Sequence, residues 1–235
     1  MSSTDIIVVL YGDRSDLDIC VESIQEHCSN YTLHIIDNNE VNRGFTKAVN
    51  EGIKQGSAPY IWLLSQDASV LRGAQEGLIA RLKSHEKIGI AGSMQLSPED
   101  NNLIRHGGTS RAFPAGQHKG GYLSMGHCQI PEKQTWVNGA SMMFKRSMYD
   151  AIGPLDESMF LLYSESSYCY EAREKGWEVW YEPDSRVIHR LGKASKFSAE
   201  WQKKDMAAFM KKWDIQIVGN EFIYSRRFQK LDMFP

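Results

Sequence analysis

Hydrophobic and polar positions form two kinds of alternating segment over the first part of the chain. Ile6–Tyr11 is a continuous run rich in β-branched residues, typical of a strand buried on both faces, and further strands are predicted at Thr32–Asp37, Tyr60–Leu64 and Ile88–Ala91. Between these runs apolar residues recur at helical spacing, as they do in Ala74–Ser84. Strands that alternate with helices predict an α/β fold with a single Rossmann-like, mostly parallel sheet flanked by helices.

The pattern changes after the fourth strand. Residues 97–134 contain many glycines and show no periodicity, and a loop of this length in a compact domain is usually functional. Order returns with a strand at Ser141–Phe144 and a helix at Ser167–Lys175. Two short strands are predicted next, at Glu178–Tyr181 and Arg186–His189.

The C-terminal part has a third pattern. Ala199–Trp213 carries Trp, Met and Phe side chains on one stripe and lysines on the other face, which predicts an amphipathic helix. We therefore expect a domain over residues 1–195, with halves at 1–95 and 96–195, and a helical extension over residues 196–235. The apolar stripe would pack either on that domain or on a second subunit, so the pattern leaves a homodimer open.

Composition excludes some classes of protein. The 235 residues are 42% hydrophobic and 24% charged, which is enough to form a sizeable core and excludes wholesale disorder. The 27 basic and 29 acidic side chains give a formal net charge of −2. A dedicated nucleic-acid binder normally has a strong basic excess, so we expect no nucleic-acid partner.

Cysteines and the N-terminal segment indicate a compartment. Cys20, Cys28, Cys128 and Cys169 form no CxxC pair, which argues against a zinc ribbon or a thioredoxin-like site. The apolar run Ile6–Tyr11 is too short for a signal peptide or a membrane span, and no later stretch is longer. We expect a soluble, cytoplasmic protein with no membrane span.

Polar side chains gather where the predicted strands end, at the sheet edge where open α/β folds bind ligands. Asp37 ends the second strand, and an Asp in this place can accept hydrogen bonds from a base or a ribose. Gly44 lies at the start of the next helix, where backbone could approach a phosphate. Asn and Asp are also ordinary turn and cap residues, so this cluster alone leaves both interpretations open.

Two further residues suit a cation. Asp67 follows the buried third strand, and a carboxylate there can hold a divalent ion whose other oxygen ligands come from a diphosphate. His189 ends the strand Arg186–His189, where its imidazole could point into the same cleft. Taken alone, each is also an ordinary residue of a turn or a core.

Several blocks follow one another in a definite order along the chain. They are Ile6–Tyr11, Ile35–Asn39, Asn42–Ile53, Trp62–Asp67, Val137–Ala140, Ile152–Glu157, Glu165 before a helix that leads to Trp177, and Val187–His189. In this order they resemble family 2 nucleotide-sugar glycosyltransferases of the GT-A fold, especially the rhamnosyltransferase-like branch. The resemblance extends over nearly all of residues 5–195, and the block Asn42–Ile53 is its most specific part.

The resemblance implies a set of donor-binding residues. In the family, the residues corresponding to Tyr11 and Asp37 contact the nucleotide base, and those corresponding to Asn42, Gly44 and Asn50 shape the ribose and phosphate pocket. The full set that we assign to the donor is Tyr11, Asp37, Asn39, Asn42, Gly44, Phe45, Asn50, Gln66, Asn138 and Gly139. Residues 1–95 would then be the nucleotide-binding half and residues 96–195 the sugar and acceptor half.

The resemblance also implies a metal site and a base. Asp67 matches the last carboxylate of the family's DxD signature, and His189 matches a residue that often completes the metal site. Carboxylate, imidazole and diphosphate ligands would suit Mn²⁺ and tolerate Mg²⁺. Glu165 is the carboxylate placed to take the proton from the acceptor hydroxyl in an inverting transfer. Its alternative role is to complement the dipole of the helix that follows.

This chain departs from the family pattern at two places. The first Asp of DxD is Ser65, which removes one negative charge from the cation site. The acidic motif before the late helix is reduced to Ser164–Ser167, in which Glu165 is the only carboxylate.

The predicted function is an inverting, metal-dependent transfer of a sugar from a UDP-, GDP- or dTDP-sugar donor to a hydroxyl of a carbohydrate or lipid-linked acceptor. The alternative is a catalytically weak or inactive module that binds nucleotide sugars. A nucleotidyltransferase would need a basic, glycine-rich loop directly after the first strand, and Tyr11–Asp13 does not supply one.

Overall fold

A computed structural model describes residues 3–111, 117–190 and 199–232. The helices are α1 (Ser15–His27), α2 (Phe45–Ile53), α3 (Ala74–Ser84), α4 (Arg146–Ile152), α5 (Ser164–Glu174), α6 (Ala199–Trp213) and α7 (Arg226–Asp232). The longer strands are β1 (Thr4–Leu10), β2 (Tyr31–Asp37), β3 (Tyr60–Ser65), β5 (Ile88–Leu96), β10 (Ser141–Lys145) and β11 (Glu178–His189). The shorter strands are β4 (Ala68–Val70), β6 (Ile104–His106), β7 (Thr109–Arg111), β8 (Gln117–His118), β9 (Glu132–Gln134), β12 (Ile215–Val218) and β13 (Glu221–Tyr224).

One nine-stranded sheet organises the fold, in the order β2-β1-β3-β10-β5-β11-β4, with β6 added on β5 and β9 on β11. The predicted single sheet flanked by helices is confirmed. Its strands β1, β2, β3, β5 and β11 run in the same direction, whereas β10 and β4 run opposite to their neighbours. The sheet is therefore mostly parallel along this order, as expected, and β10 enters between β3 and β5 as an antiparallel strand.

Helices cover both faces of the sheet, which is why the strands are apolar without interruption. In β1, Ile7 and Val9 face a cluster formed with α2, α4, α5 and α6, and the alternate residues face a second cluster formed with α1 and α3. Residues of β1 are at most 8% exposed. Burying one such aliphatic side chain contributes about 1.5–3 kcal/mol, so this two-sided packing is a main source of stability.

Two of the expected elements differ in the structure. Glu178–Tyr181 and Arg186–His189 belong to one strand, β11, whose register on β5 shifts between Glu182 and Arg186. Pro183 lies in that interval and has no N–H to donate to a ladder, so the sequence pattern indicates two strands where the structure has one strand with a bulge. The expected loop at 97–134 contains the paired strands β6, β7, β8 and β9.

The C-terminal extension was expected to be helical, and it contains a β-hairpin as well. After α6, the strands β12 and β13 pair antiparallel across a turn at Gly219, whose φ is +62°. The predicted boundary at residue 195 lies outside the described residues, and the division into domains stays a prediction.

The apolar stripe of α6 packs on its own domain. Phe209 and Trp213 are at most 1% exposed and belong to the same cluster as the inner residues of β1 and α2. Because this stripe is already covered within the chain, the pattern that left a homodimer open no longer supports one.

Candidate active site

A cavity of about 300 Å³ opens at the carboxyl ends of β1, β3 and β11. Residues from distant parts of the sequence line it. Of the predicted site residues, those that line it are Tyr11, Asn42, Phe45, Gln66, Asp67, Asn138, Gly139, Glu165 and His189. The sheet edge expected from the strand ends is thus the one at which the structure forms its cavity.

Asp67 and His189 face each other in this cavity. Nε2 of His189 lies 3.2 Å from Oδ1 of Asp67, and Asp67 is 7% exposed. The antiparallel pairing of β4 with β11 produces this contact, because His189 stands opposite Ala68, the residue after Asp67. The backbone N–H of Arg190 also donates to the carbonyl oxygen of Asp67, at 2.9 Å.

Gln95 orients the imidazole of His189 through a hydrogen bond to Nδ1, the ring nitrogen that does not contact Asp67. Nε2 of Gln95 donates to Oδ1 of Asn138 at 3.0 Å, which leaves its Oε1 to accept from Nδ1 of His189 at 2.9 Å. This arrangement places the proton of a neutral imidazole on Nδ1 and the lone pair of Nε2 toward Asp67. The hydroxyl of Ser65 in turn contacts Oδ1 of Asp67.

The donor set fits a divalent cation in part. A nitrogen lone pair directed at a carboxylate requires either a protonated ring or a cation between the two groups, and imidazole with carboxylate suits Mn²⁺. A hydrogen bond to the distal ring nitrogen, which Gln95 supplies, is the usual support of a metal-bound histidine. Within the described residues no group of three or more His, Cys, Asp or Glu side chains could hold a metal, so further ligands would have to come from a bound molecule.

Glu165 lies in the first turn of α5 and lines the same cavity. Its side chain packs against the turn before β10, where a Cβ on Gly139 would lie 3.3 Å from its Cγ. Burial raises the pKa of Glu165 to about 7, and the negative charge of Asp205 adds to this shift. A carboxyl group with this pKa can both accept and release a proton near neutral pH.

Gln66 joins the ends of the two strands that frame the cavity. Its Oε1 accepts from the backbone N–H of Tyr11 at 2.7 Å, and its Nε2 donates to the carbonyl of Tyr11 at 2.9 Å. Both ends of the amide are therefore used in holding the segment after β1. The side chain of Tyr11 is left 45% exposed at the rim.

A network around Asn38 shapes the loop between β2 and α2. Oδ1 of Asn38 accepts from both the backbone N–H and Nε of Arg43, each at 3.1 Å, and its Nδ2 donates to Oδ1 of Asn42. Asn38 is 2% exposed and lines the cavity together with Asn42. Asn38 was not among the predicted site residues, although it lies between Asp37 and Asn39, which were.

Four predicted donor-binding residues do not line the cavity. Asp37 and Asn39 are exposed near its rim, where Oδ1 of Asp37 accepts from the N–H of Asn39 and Oδ1 of Asn39 accepts from the N–H of Gly12. Gly44 has a φ of +87° and lies against Phe160, so a side chain at this position would collide with the ring and carbonyl of Phe160.

Asn50 is the clearest correction. It is 1% exposed, its Oδ1 accepts from the N–H of Leu155, and its Nδ2 donates to the carbonyl of Leu155 and to Glu157. The amide therefore joins α2 to the segment before α5 and has no access to a ligand.

Sequence reasoning missed two parts of the site. One is Gln95, for which a polar residue between Met94 and Leu96 in a buried strand was an available signal. The other is the apolar segment Phe160–Leu162, which forms one wall of the cavity and has no local motif.

The chain matches known proteins over most of its length. A family model described as "Glycosyltransferase like family 2" matches residues 1–206. Two curated relatives, poly-beta-1,6-N-acetyl-D-glucosamine synthases of Staphylococcus epidermidis, are 25% and 24% identical over 182 residues. These alignments include 75% of this chain and 40% of each relative, so the chain spans about two fifths of their length.

Solved structures share the fold. GalNAc-T7, crystallised with UDP, GalNAc and Mn²⁺, has a TM-score of 0.72 and 13% identity over 90% of this chain and 48% of its own. The mannosyltransferase PcManGT from Pyrobaculum calidifontis, in complex with GDP-Man and Mn²⁺, has a TM-score of 0.63 and 12% identity over 97% of this chain and 67% of its own. Both are GT-A glycosyltransferases, and this chain has the GT-A fold. The rhamnosyltransferase-like branch stays a prediction.

None of the helices within residues 3–111, 117–190 and 199–232 is long and apolar enough to cross a membrane.

Proposed function

The chain belongs to glycosyltransferase-like family 2, and from that premise we propose that it transfers a sugar from a nucleoside-diphosphate sugar to a hydroxyl acceptor with inversion. The observation that carries the proposal is the opening of the Asp67–His189 pair and of Glu165 into one cavity. A site for the diphosphate and a base for the acceptor are the two parts that such a transfer requires.

The donor would bind along the polar side of the cavity. Tyr11, Asn38 and Asn42 line the part that lies between β1 and α2, where a nucleoside would be held. Asn138 and Gly139 line the part beside Glu165, where a sugar would lie. We assign Asp37, Asn39, Gly44 and Asn50 to shaping the surrounding loops, since they lie outside the cavity lining.

Asp67 and His189 would hold a divalent ion, Mn²⁺ or Mg²⁺, together with diphosphate oxygens. A cation bound there supplies Lewis-acid stabilisation of the negative charge that develops on the departing diphosphate. Gln95 keeps the lone pair of His189 directed at this position. Ser65, in place of an acidic residue, contributes a hydroxyl contact to Asp67 and no charge.

Glu165 would act as the general base. The acceptor oxygen forms a bond to the anomeric carbon from the face opposite the leaving group, and the bond from that carbon to the diphosphate oxygen breaks. The proton of the acceptor hydroxyl passes to the carboxylate of Glu165. With a pKa of about 7, this group is a stronger base than an exposed glutamate while staying substantially ionised at neutral pH.

Other features of the reaction belong to the same proposal. The acceptor would be a carbohydrate or a lipid-linked precursor, in keeping with the glycan synthase to which the chain is related. We place the reaction in the cytoplasm, since the four cysteines are free and a reducing compartment suits them.

A donor panel tests the proposal. Binding calorimetry and release of nucleoside diphosphate would be measured for UDP-, GDP- and dTDP-sugars, with and without Mn²⁺. We expect one donor class to bind and to turn over only with the metal. Binding without turnover would favour the alternative, a module that binds nucleotide sugars. Two features support that alternative: Ser65 stands where the family has an Asp, and Ser164–Ser167 contains a single carboxylate. Failure of every donor to bind would contradict the proposal.

A further inference from the structure

Three consecutive backbone N–H groups converge on one carboxylate of the C-terminal extension. Phe160 donates to Oδ1 of Asp205, and Leu161 and Leu162 donate to Oδ2, each at 2.8 Å. Asp205 lies in α6 and is 1% exposed. Hydrogen bonds from N–H groups to an ionised carboxylate are shorter and stronger than neutral ones, so this is a firm attachment.

The attached segment, Phe160–Leu162, is the apolar wall of the cavity. It leads through Tyr163, whose φ is +65°, directly into the first turn of α5, where Glu165 lies. A left-handed conformation at a bulky residue is unfavourable by itself and persists only where its surroundings enforce it. The hold of Asp205 on the three preceding residues is such an enforcing contact.

A second contact from α6 reaches the same wall. The Trp201 ring stacks on that of Phe160, with centroids 4.0 Å apart and planes inclined by 11°. Trp201 and Asp205 are four residues apart and therefore lie on one face of the helix. From the opposite side, the N–H of Thr46 donates to the carbonyl of Phe160 at 3.3 Å, so the wall is clamped between α2 and α6.

We propose that Asp205 is a positioning residue, which fixes the wall Phe160–Leu162 and through it the place of Glu165. The C-terminal extension is then a component of the active site and not an appendage. The consequence for catalysis rests on the proposed function, whereas the attachment of the wall does not.

An electrostatic effect accompanies the geometry. The titratable groups coupled to Glu165 are Tyr163, Cys169 and Asp205. After burial, which is the largest cause in each case, the charge of Asp205 raises the pKa of Glu165, and the charge of Glu165 raises the pKa values of Tyr163 and Cys169. Removing the charge of Asp205 is expected to lower the pKa of Glu165, which gives a readout at Glu165 itself beside the exchange of the wall amides.

The experiment compares Asp205→Ala, Asp205→Asn and a control, Arg227→Met. Arg227 also joins the extension to the domain, through an ion pair with Glu174 of 2.5 Å, and its guanidinium lies over the Trp213 ring within the extension. Neither contact involves the wall. Hydrogen exchange of the Phe160, Leu161 and Leu162 amides is measured first, because it needs no substrate. We expect these amides to exchange about tenfold faster or more in Asp205→Ala than in the wild type. In Arg227→Met their exchange should be unchanged once the rates are corrected for any difference in global stability between the variants.

Steady-state kinetics then test the effect on transfer. We expect kcat to fall about tenfold or more in Asp205→Ala, less in Asp205→Asn, and little in the control, because a shift of about 1 Å in a catalytic group is costly. The acidic limb of the kcat–pH profile should move to lower pH in Asp205→Asn. Unchanged amide exchange, or a loss of kcat no greater than that of Arg227→Met, would overturn the proposal. If the wild-type protein transfers no sugar, the proposed function fails, and the amide exchange still decides whether Asp205 positions the wall.

Discussion

Nε2 of His189 and Oδ1 of Asp67 lie 3.2 Å apart, and each of the two side chains is contacted by a further residue. Gln95 accepts from the other ring nitrogen of His189, and the Ser65 hydroxyl contacts the carboxylate. The β4–β11 pairing brings the two residues together from distant parts of the chain.

Replacing Asp67 by Asn removes one negative charge and keeps the shape of the side chain. We expect Mn²⁺-stimulated release of nucleoside diphosphate to fall by about a hundredfold or more, because a neutral amide is a poor ligand for a hard cation. A coupled assay over a Mn²⁺ titration measures this. Asp150→Asn, at an exposed position of α4, is the control. A variant at position 67 that responds to Mn²⁺ as the wild type does would exclude Asp67 as a ligand.

Glu165→Gln keeps the size of the side chain and abolishes its capacity to take a proton. We expect transfer to fall by about 10²–10⁴-fold, which is the usual contribution of a general base, while the Kd of the donor stays within about twofold. Product formation and calorimetry report the two quantities. The exposed residue Glu76 on α3 provides the control variant Glu76→Gln. A normal transfer rate in Glu165→Gln would refute the base assignment.

The raised pKa of Glu165 predicts opposite pH dependences of rate and stability. The rate should rise as pH increases through about 7, because the base must lose its proton. The pKa in the folded state exceeds the ordinary value of 4.5, so this group's contribution to the free energy of unfolding is complete below pH 4.5 and is lost as pH rises through about 7. Urea unfolding of wild type and Glu165→Gln on both sides of pH 7 measures the difference. Parallel stability curves for the two proteins would contradict it.

Gln95→Leu removes the acceptor that orients His189 and preserves the volume of a residue only 2% exposed. We expect the affinity for Mn²⁺ in the presence of nucleoside diphosphate to weaken about 10–100-fold, the usual cost of losing a partner of a metal-bound histidine. Titration calorimetry measures it, with the exposed Gln216→Leu as the control. Equal affinities in the two variants would show that Gln95 has no part in the cation site.

Gly44→Ala should destabilise the fold more than Gly73→Ala. Each glycine directly precedes a helix and has a positive φ, +87° at Gly44 and +84° at Gly73. A Cβ at Gly44 would lie 2.6 Å from Cδ2 and 2.7 Å from the carbonyl oxygen of Phe160, whereas nothing lies within 4 Å of one at Gly73. We expect a loss of about 1–2 kcal/mol for Gly73→Ala, whose ψ of −3° makes it left-handed helical. We expect about 1–3 kcal/mol more for Gly44→Ala, because its ψ of 160° belongs to a region that suits glycine alone and because its Cβ would overpack. Denaturant midpoints decide the order, and equal losses would contradict the close approach to Phe160.

Much of the fold could be predicted because its signals are local. Buried parallel strands appear as unbroken apolar runs, as in β1, and the polar residues that follow them, such as Asp67, necessarily lie at the carboxyl edge of the sheet. The hairpin of β12 and β13 was missed because each strand has only four residues, too few to establish a period.

Side-chain roles were predicted less well, because a polar residue near a cavity has several places to turn. Asn50 belongs to the most specific block of the chain, yet Leu155 and Glu157 take its entire amide. Asp205 is an ordinary acidic residue on an amphipathic helix until α6 docks and three N–H groups of the wall meet it. In both cases the hydrogen-bonding partners lie too far away along the sequence for a local pattern to reveal them.

The amino-acid order alone determined most of the longer strands and helices, which edge of the sheet is polar, and which side chains of suitable chemistry for a cation or a proton lie along that edge. These properties follow from periodicity and side-chain chemistry, which act over a few neighbouring residues. Only the tertiary structure decided that His189 meets Asp67, that burial brings the pKa of Glu165 to about 7, and that α6 holds the cavity wall. The reason is that register and docking bring together groups from distant parts of the chain, and no local pattern specifies such distances.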